Sequence, residues 1–531
     1  MIQVSPFMGE LPKIADRLIP GEYATLAENC DLESRSLQGA LGQTSVISLA
    51  TGTKSIFRHP QEGKWMRFDQ PDVSVVRSPL NNDNYDRVYW TGDNTPKMAP
   101  YNLALGGSTP PSTSYRLGIP APSSAPVAAD ATGTAPDGAI EIDAAYVVTF
   151  ISEYGEEGPP SPASQLAVRW EGATIELSSI PVPPTGPYNI TSKRLYRAET
   201  GGAYLFVADI PAANTAYSDD IQTDALGAEI PSTDWDMPPD NLTGLMHIGN
   251  GIMAGWFDNT LCFSETYRPH AWPIGFQLGF ASNIVGIAPV SSGLIVVTEQ
   301  GPWLVSGGSP AAMSQFKLDI YLGAVSRRSV VDMGEYAIYA SGEGLVAVGG
   351  SQAQVITQNL LTREQWQQFN PQSIIAFRWH DKYLAFYTKD DNTTGAFLIN
   401  EQMGLVRYDV PNIVNAWLDE TDGQIYLLKS NAEVIAWDKS TTRTQYTWKS
   451  KVFTLPRRDT MPVAKVDGLQ EIGDTINLKI WADGELLHEQ EVDSTLMIRL
   501  PSGRYRTWQF QVSGTAEIFS VQIAQSPSAL R

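Results

Sequence analysis

Between residues 246 and 438 short apolar runs return at a nearly fixed interval, separated by polar turns. The runs are Ile252-Met-Ala-Gly-Trp, Leu294-Ile-Val-Val-Thr, Tyr336-Ala-Ile-Tyr-Ala, Tyr383-Leu-Ala-Phe-Tyr and Ile425-Tyr-Leu-Leu, with starts 42, 42, 47 and 42 residues apart. A second run follows each, at Leu261, Trp303, Leu345, Phe397 and Val434; four of the five begin nine residues after the first. The fourth is delayed by the polar insertion Lys389-Asp-Asp-Asn-Thr-Thr394. A further strand-like run precedes the later pairs, at Ile284, Ser329, Ile374 and Asn415. Three or four short strands in every 40–50 residues or so is the period of a β-propeller blade. A plain antiparallel meander or sandwich shows the same alternation, but the even spacing favours radially stacked blades. The pattern predicts an all-β chain whose residues 246–438 supply five consecutive blades. A sixth blade is expected upstream over 54–100, from runs at Lys54, Lys64, Val73 and Arg87.

The propeller is thus expected to begin near the N-terminus and to be interrupted. Pro and small residues cluster at 106–111 and 120–126, which favours extended linker backbone. Beyond them lie Ala145-Tyr-Val-Val-Thr-Phe-Ile151, the turn Gly155-Glu-Glu-Gly158 with Pro159-Pro-Ser-Pro162, and Arg194-Leu-Tyr-Arg197. This order resembles a fibronectin type III-like β-sandwich, a module that acts as a spacer or docking face more often than as an enzyme. After residue 446 a small β unit is expected, with strands at 451–455, 476–482, 485–492, 497–500, 507–513 and 518–524. Asp483-Gly484 marks a tight hairpin there. Four segments result: 1–119 with the first blade, 120–235 with linker and inserted sandwich, 236–445 with the remaining blades, and 446–531 as the C-terminal unit.

Composition adds limits. The chain has 531 residues, 42% hydrophobic and 18% charged, with 44 Gly and 36 Pro, which suits short strands and many turns. No run of about 18 apolar residues spans a membrane, and the N-terminus does not read as a secretory signal. Cys30 and Cys262 are too few for a disulfide framework, so folding in a reducing cytoplasm is expected. The formal net charge is −21, and residues 140–235, with 14 acidic and 4 basic residues, hold −10 of it. So acidic a chain is a poor gripper of nucleic-acid phosphates. The charge serves solubility, or lines a surface past which DNA slides.

Catalytic patterns are not evident. The five histidines, His59, His247, His270, His380 and His488, form no HExxH-type pair, and there is no GxSxG elbow, P-loop or GxGxxG fingerprint. No catalytic, metal or cofactor residues, and no cofactor, are expected. The densest polar and aromatic cluster follows the first blade pair: Tyr267, Arg268, Pro269, His270, Trp272 and Pro273. The prolines restrict the backbone, Arg268 can bond a carboxylate or carbonyls, and the rings offer flat packing surface. These features predict a rigid structural loop wedged between blades or subunits.

At this cluster the chain resembles a known family. "FSETYRPHAWP", followed by "IVGIAPVSSGLIVVTEQGPWLVSGG", is similar to the tail-nozzle, or packaged-DNA stabilisation, proteins of short-tailed bacteriophages. The opening "SPFMGELPKIADRLIPGEYATLAENCDLESRSLQGALG" and the closing "LPSGRYRTWQFQVSGTAEIFSVQIAQSPSALR" resemble phage tail proteins as well. The resemblance implies a virion structural protein, assembled in the host bacterial cytoplasm. It implies a homo-oligomeric ring, a hexamer, at the distal end of the tail. That ring would continue the DNA channel, help retain packaged double-stranded DNA with weak contact, and take part in genome ejection. Its partners would be tail adaptor or portal-side proteins and tail fibres or spikes. Two alternatives stay open: a tail-hub or tip protein of a long-tailed phage, or a polysaccharide-binding or -degrading propeller. In the latter, Trp256, Trp303, Trp379 and Trp417 would stack on sugars.

Overall fold

The computed structural model describes residues 1–400, 404–410 and 412–530; Arg531, the last residue of the expected C-terminal unit, lies outside them. The chain is all-β. Among the described residues α-helix is confined to Tyr101–Ala104 and Arg363–Gln367. The chain divides into two compact units, one of Met1–Ile56, Val285–Val305 and Phe316–Arg531, the other of Phe57–Ile284 and Ser306–Gln315.

Four-stranded up-and-down antiparallel sheets, the building block of propeller blades, recur along the chain. They include Ile284–Val290 to Ser314–Lys317 and, within the first unit, Val331–Asp332 to Gln352–Val355; Ile375–Trp379 to Gly404–Asp409 repeat the same order as one end of a larger sheet. Each periodic apolar run is the second strand of its sheet: Gly293–Thr298, Ala337–Ala340, Lys382–Thr388 and Gln424–Lys429. These strands are buried on both faces, which is why they read as continuous apolar runs rather than as alternation. The outermost strands escaped the pattern because they face water: Ser314–Lys317 is exposed throughout and Gln352–Val355 alternately so.

The sheet of Ile413–Asp419, Gln424–Lys429 and Glu433–Ala436 receives its fourth strand from far away. Thr44–Ser48 pairs with Glu433–Ala436, Ile47 opposite Val434. Covering an otherwise open edge with a distant strand removes a site for unwanted pairing.

The C-terminal segment is not separate from what precedes it. Ala24–Glu28 lies between Gly404–Asp409 and Tyr446–Ser450, so a ten-stranded sheet runs from Ile375–Trp379 through Tyr505–Gly514 to Glu485–Glu491. A second sheet joins Ile2–Val4, Glu517–Ala524, Val463–Leu469 and Met497–Arg499. Phe7, Trp448, Ile480, Phe510, Val521 and Ile523 share one buried core. Glu10 is buried too: its carboxylate accepts the Ala27 N–H at 2.9 Å and pairs with Arg407 at 3.1 Å.

In the second unit the sheet Thr243–His247, Met253–Phe257, Thr260–Phe263, Gln277–Gly279 carries the first of the periodic runs. A second sheet comprises Ser74–Arg77, Val88–Thr91, Lys97–Ala99 and Tyr115–Arg116. This corrects the expected grouping over 54–100. Ser55–Arg58 and Trp65–Phe68 form a two-stranded sheet of their own, and the break falls at Asp69-Gln-Pro-Asp72, where Pro71 lacks a ladder N–H. Tyr89, Met98, Leu242, Met253, Cys262 and Trp272 form one core. Residues 127–219 make two facing sheets. One is Ala167–Arg169, Ile142–Ser152, Ile190–Glu199, Leu205–Pro211; the other is Val127–Ala128, Ile175–Ser178, Tyr217–Asp219. Tyr146, Val148, Ile175, Leu177, Leu195 and Ile210 fill the space between them.

Candidate functional site

The loop after Thr260–Phe263 is closed by its own backbone. The Glu265 N–H donates to Ala271 O at 2.9 Å, Arg268 N–H to Glu265 O at 3.0 Å, and Ala271 N–H to Arg268 O at 3.0 Å. Pro269 and Pro273, without N–H groups, sit where these bonds ask for none. Two further bonds anchor the loop: Tyr267 N–H to Gly251 O at 2.9 Å and Trp272 N–H to Asp236 O at 2.8 Å. Ser264 Oγ accepts the Met253 N–H at 2.9 Å and donates to Glu265 O at 3.1 Å. The Trp272 indole is buried and donates from Nε1 to Pro269 O at 2.9 Å. Tyr267 is the outlier. It stands half in solvent with φ of 54°, its ring over Gly251, where φ is +72° and any Cβ would meet that ring at 2.3 Å.

His270 points inward and is 4% exposed. The Trp235 ring meets it edge-on at 5.7 Å, and Arg268 lies over the same indole, 5.4 Å from its centroid. Glu156 Oε1 is 4.0 Å from Nδ1. Burial, and then the positive charges of Arg268 and Arg87, push the His270 pKa down to about 3, so the ring is neutral at physiological pH.

Behind His270 lies a network that spans much of the sequence. Arg87 Nη1 donates to Glu156 Oε1 at 2.7 Å and Nε to Asp83 Oδ2 at 2.9 Å, with the rings of Tyr85 and Tyr154 at 5.8 and 5.6 Å. Burial works against the Arg87 charge, yet Tyr89, Glu156 and Asp83 hold its pKa above the ordinary value. Burial raises that of Glu156, partly offset by Arg87. The neighbouring Glu157 accepts from Tyr196 OH at 2.7 Å, Thr149 Oγ1 at 2.8 Å, Ser232 Oγ at 3.1 Å and Arg194 Nη1 at 3.1 Å. Both glutamates of the Gly155-Glu-Glu-Gly158 turn are therefore buried hubs.

Of the sequence-predicted residues, Arg268, Pro269, His270, Trp272 and Pro273 gather in this assembly, while Tyr267 faces out. Sequence reading missed Asp83, Arg87, Glu156, Glu157 and Trp235. A tandem Glu-Glu before Gly-Pro-Pro was visible, but its partner Arg87 lies 69 residues away. Chemically the arrangement is a clamp. A neutral imidazole and a paired carboxylate are enclosed together, the carboxylate held by Arg87 and by the Ser152 hydroxyl at 3.4 Å.

A different place has an opening. In the first unit a cavity of about 220 Å³ is lined by Asp31, Glu33, Trp379, His380, Asp438 and Arg443, among others. Trp379 stacks on His380 at 4.3 Å, and the carboxyl of Asp438 is pushed up to about 6 by burial and by nearby Asp31. The other tryptophans considered for sugar stacking are placed otherwise. Trp256 is buried, Trp417 stacks on Tyr426 at 5.9 Å, and Trp303 has Lys317 above its ring.

No family model and no curated protein matches the chain. Solved structures with partial likeness include the WD40 domain of Toxoplasma gondii coronin, 9% identical, over 64% of this chain and 78% of that one, TM-score 0.25. PorZ of the Porphyromonas gingivalis type-IX secretion system is 11% identical, over 61% and 43%, TM-score 0.24. An exo-β-1,3-galactanase of Phanerochaete chrysosporium is 8% identical, over 91% and 100%, TM-score 0.18. Likeness at this level assigns no activity to this chain.

Proposed function

We propose that the chain is a structural protein of a bacteriophage tail, a ring-forming nozzle that continues the DNA channel. The observation that supports this best is the loop carrying the family resemblance. Its His270 and Trp272 are sealed in, tied to Asp236 and beside the buried Arg87–Glu156 pair, which is what a scaffold requires and a catalyst does not. Propeller-type sheets and a −21 charge accord with a wall that DNA passes without adhering. The ring would be hexameric with six blades per chain, and would meet adaptor and fibre proteins. Imaging of the purified chain tests the reading: closed rings with an axial opening are expected, and a dispersed monomer under assembly conditions contradicts it.

A second reading has one observation in its favour. The cavity beside Trp379 combines a stacked aromatic pair with Asp31, Glu33 and Asp438, groups that bind sugar hydroxyls. Binding or turnover of host polysaccharide, lost in Trp379→Ala, would replace the nozzle reading with a carbohydrate-directed one.

A further inference from the structure

The chain's charge is unevenly placed, and two exposed surfaces carry opposite signs. Strand Phe453–Asp459 pairs with Tyr505–Gly514 at Phe453–Trp508 and Thr454–Thr507, then only again at Asp459–Tyr505. The irregularity between bows out Pro456-Arg457-Arg458 beside Arg504 and Arg506, and all four arginines are exposed. Residues 449–458 and 499–506 together hold seven Lys or Arg and no Asp or Glu, in a chain with 37 basic and 58 acidic residues. Two carboxylates adjoin the strip. Asp483 lies 3.7 Å from Arg458 and spends one oxygen on the Arg506 and Thr507 N–H groups, each at 2.8 Å; Asp459 accepts from Gln525 at 2.7 Å. They leave the strip net positive.

The sandwich shows the converse. All four basic side chains of residues 140–235 are spent internally. Arg169 pairs with Glu199 at 3.0 Å, Arg197 with the buried Asp219, and Arg194 with Asp209 at 2.8 Å; Lys193 donates to Pro181 O at 2.8 Å. With Arg194 taken by the outward Asp209, none of the domain's four basic side chains is paired with Asp143, Glu171, Asp220 or Asp224. Strand Ile142–Ser152 runs from one end of the sandwich to the other, and the Glu156 turn closes the far end. At the near end lie exposed Asp143, Glu171, Asp220 and Asp224. The register brings them together: Asp143 is opposite Val168, Ile175 opposite Asp219, and Gly172 N–H donates to the Gln222 side chain at 2.8 Å.

We propose that the chain associates with itself head to tail, the exposed arginine strip of one copy receiving the acidic free end of the sandwich of a second copy. Two different, complementary patches on one chain define a heterologous contact, which builds rings when the rotation closes and filaments when it does not. Charge complementarity of this kind sets orientation and encounter rate, and screening beyond about 8 Å at physiological salt demands close apposition. The contact rests on the ring reading above and names the two surfaces that would join its copies; their choice rests on charge placement.

The test uses three full-length proteins in sedimentation velocity at about 0.05 to 0.5 M salt. One is the native chain; one carries Arg457→Glu, Arg458→Glu, Arg504→Glu and Arg506→Glu; one carries Asp143→Lys, Glu171→Lys, Asp220→Lys and Asp224→Lys. All changed positions are exposed, and circular dichroism checks the fold of each. The native chain should oligomerise and dissociate as salt rises. Each variant alone should associate at least about tenfold more weakly. Mixing the two variants should restore association, because each supplies the face the other lacks. A native chain monomeric at every salt concentration would overturn the ring reading and this contact together, whereas variants that assemble like the native chain, or a mixture that stays monomeric, would overturn the contact and leave the ring reading standing. Short duplex DNA is the counter-probe: a native chain that stays monomeric yet binds duplex through the arginines would make the strip a nucleic-acid surface instead.

Discussion

Arg87 and Glu156, 69 residues apart in sequence, meet at 2.7 Å with each side chain only 6% exposed. A buried pair of this kind is costly to break singly, because the remaining charge has neither partner nor water. Arg87→Met should lower stability by about 3–5 kcal/mol in urea denaturation. The double variant Arg87→Met with Glu156→Leu should cost less than the sum of the two single changes. Equal and additive losses would show that the two residues act separately.

His270 gives the fold a defined acid sensitivity. Its pKa is pushed down to about 3 in the folded protein, against about 6.5 for an ordinary histidine. The unfolded chain therefore binds the extra proton first as pH falls. The stability contribution is complete above about pH 6.5 and is lost towards pH 3, by about 1.4 kcal/mol per pH unit at most. Glu156, with its pKa raised by burial, opposes this at the acid end. Replacing His270 by Asn should flatten the stability profile between about pH 6.5 and pH 5 relative to the native chain; an unchanged slope would contradict burial of the neutral ring.

The loop itself is testable by volume. Trp272→Ala removes a buried indole and its bond to Pro269 O, and should cost about 3–5 kcal/mol. Arg268→Ala loses a contact with the Trp235 ring, worth about 0.5–1 kcal/mol. Gly251→Ala should cost about 1–3 kcal/mol, since a Cβ there displaces the Tyr267 ring and φ is positive. Thermal melts of the three should rank Trp272→Ala lowest.

The N-terminal residues are part of the C-terminal core rather than an appendage. Trp448 Nε1 donates to Met8 O at 2.8 Å, and Phe7 meets the same indole edge-on at 5.0 Å. Deleting residues 2–12 also removes Glu10 and leaves Arg407 without its carboxylate. Red-shifted tryptophan emission and an earlier first unfolding transition are expected; unaltered emission would mean that the core closes without this segment.

The sequence revealed strands wherever both faces are buried, as at Leu294 and Tyr383, because a doubly covered strand is apolar without interruption. It hid strands of the opposite kind. Thr44–Ser48 is wholly exposed, so no apolar pattern marks it, and its partner lies nearly 400 residues on. Tyr446–Ser450 went unnoticed: its neighbours, Ala24–Glu28 and Tyr505–Gly514, come from the chain's two ends, and Val463–Leu469 was missed although it pairs within the C-terminal segment. The loop at 266–273 was visible from its crowded aromatic and proline residues. Its true supports, Arg87 and Glu156, were not, since single charged residues in turns carry no sign of burial. The arginine strip was concealed by averaging: residues 446–531 hold ten acidic and ten basic residues, and only the fold sorts them by position.

The most direct measurement of the central claim is electron cryomicroscopy of virions that carry this chain. A ring of copies around the tail axis, its lumen wide enough for duplex DNA and its sandwiches away from the channel, is the expected result. A single copy placed off the axis, or no density for the chain in the particle, would contradict it.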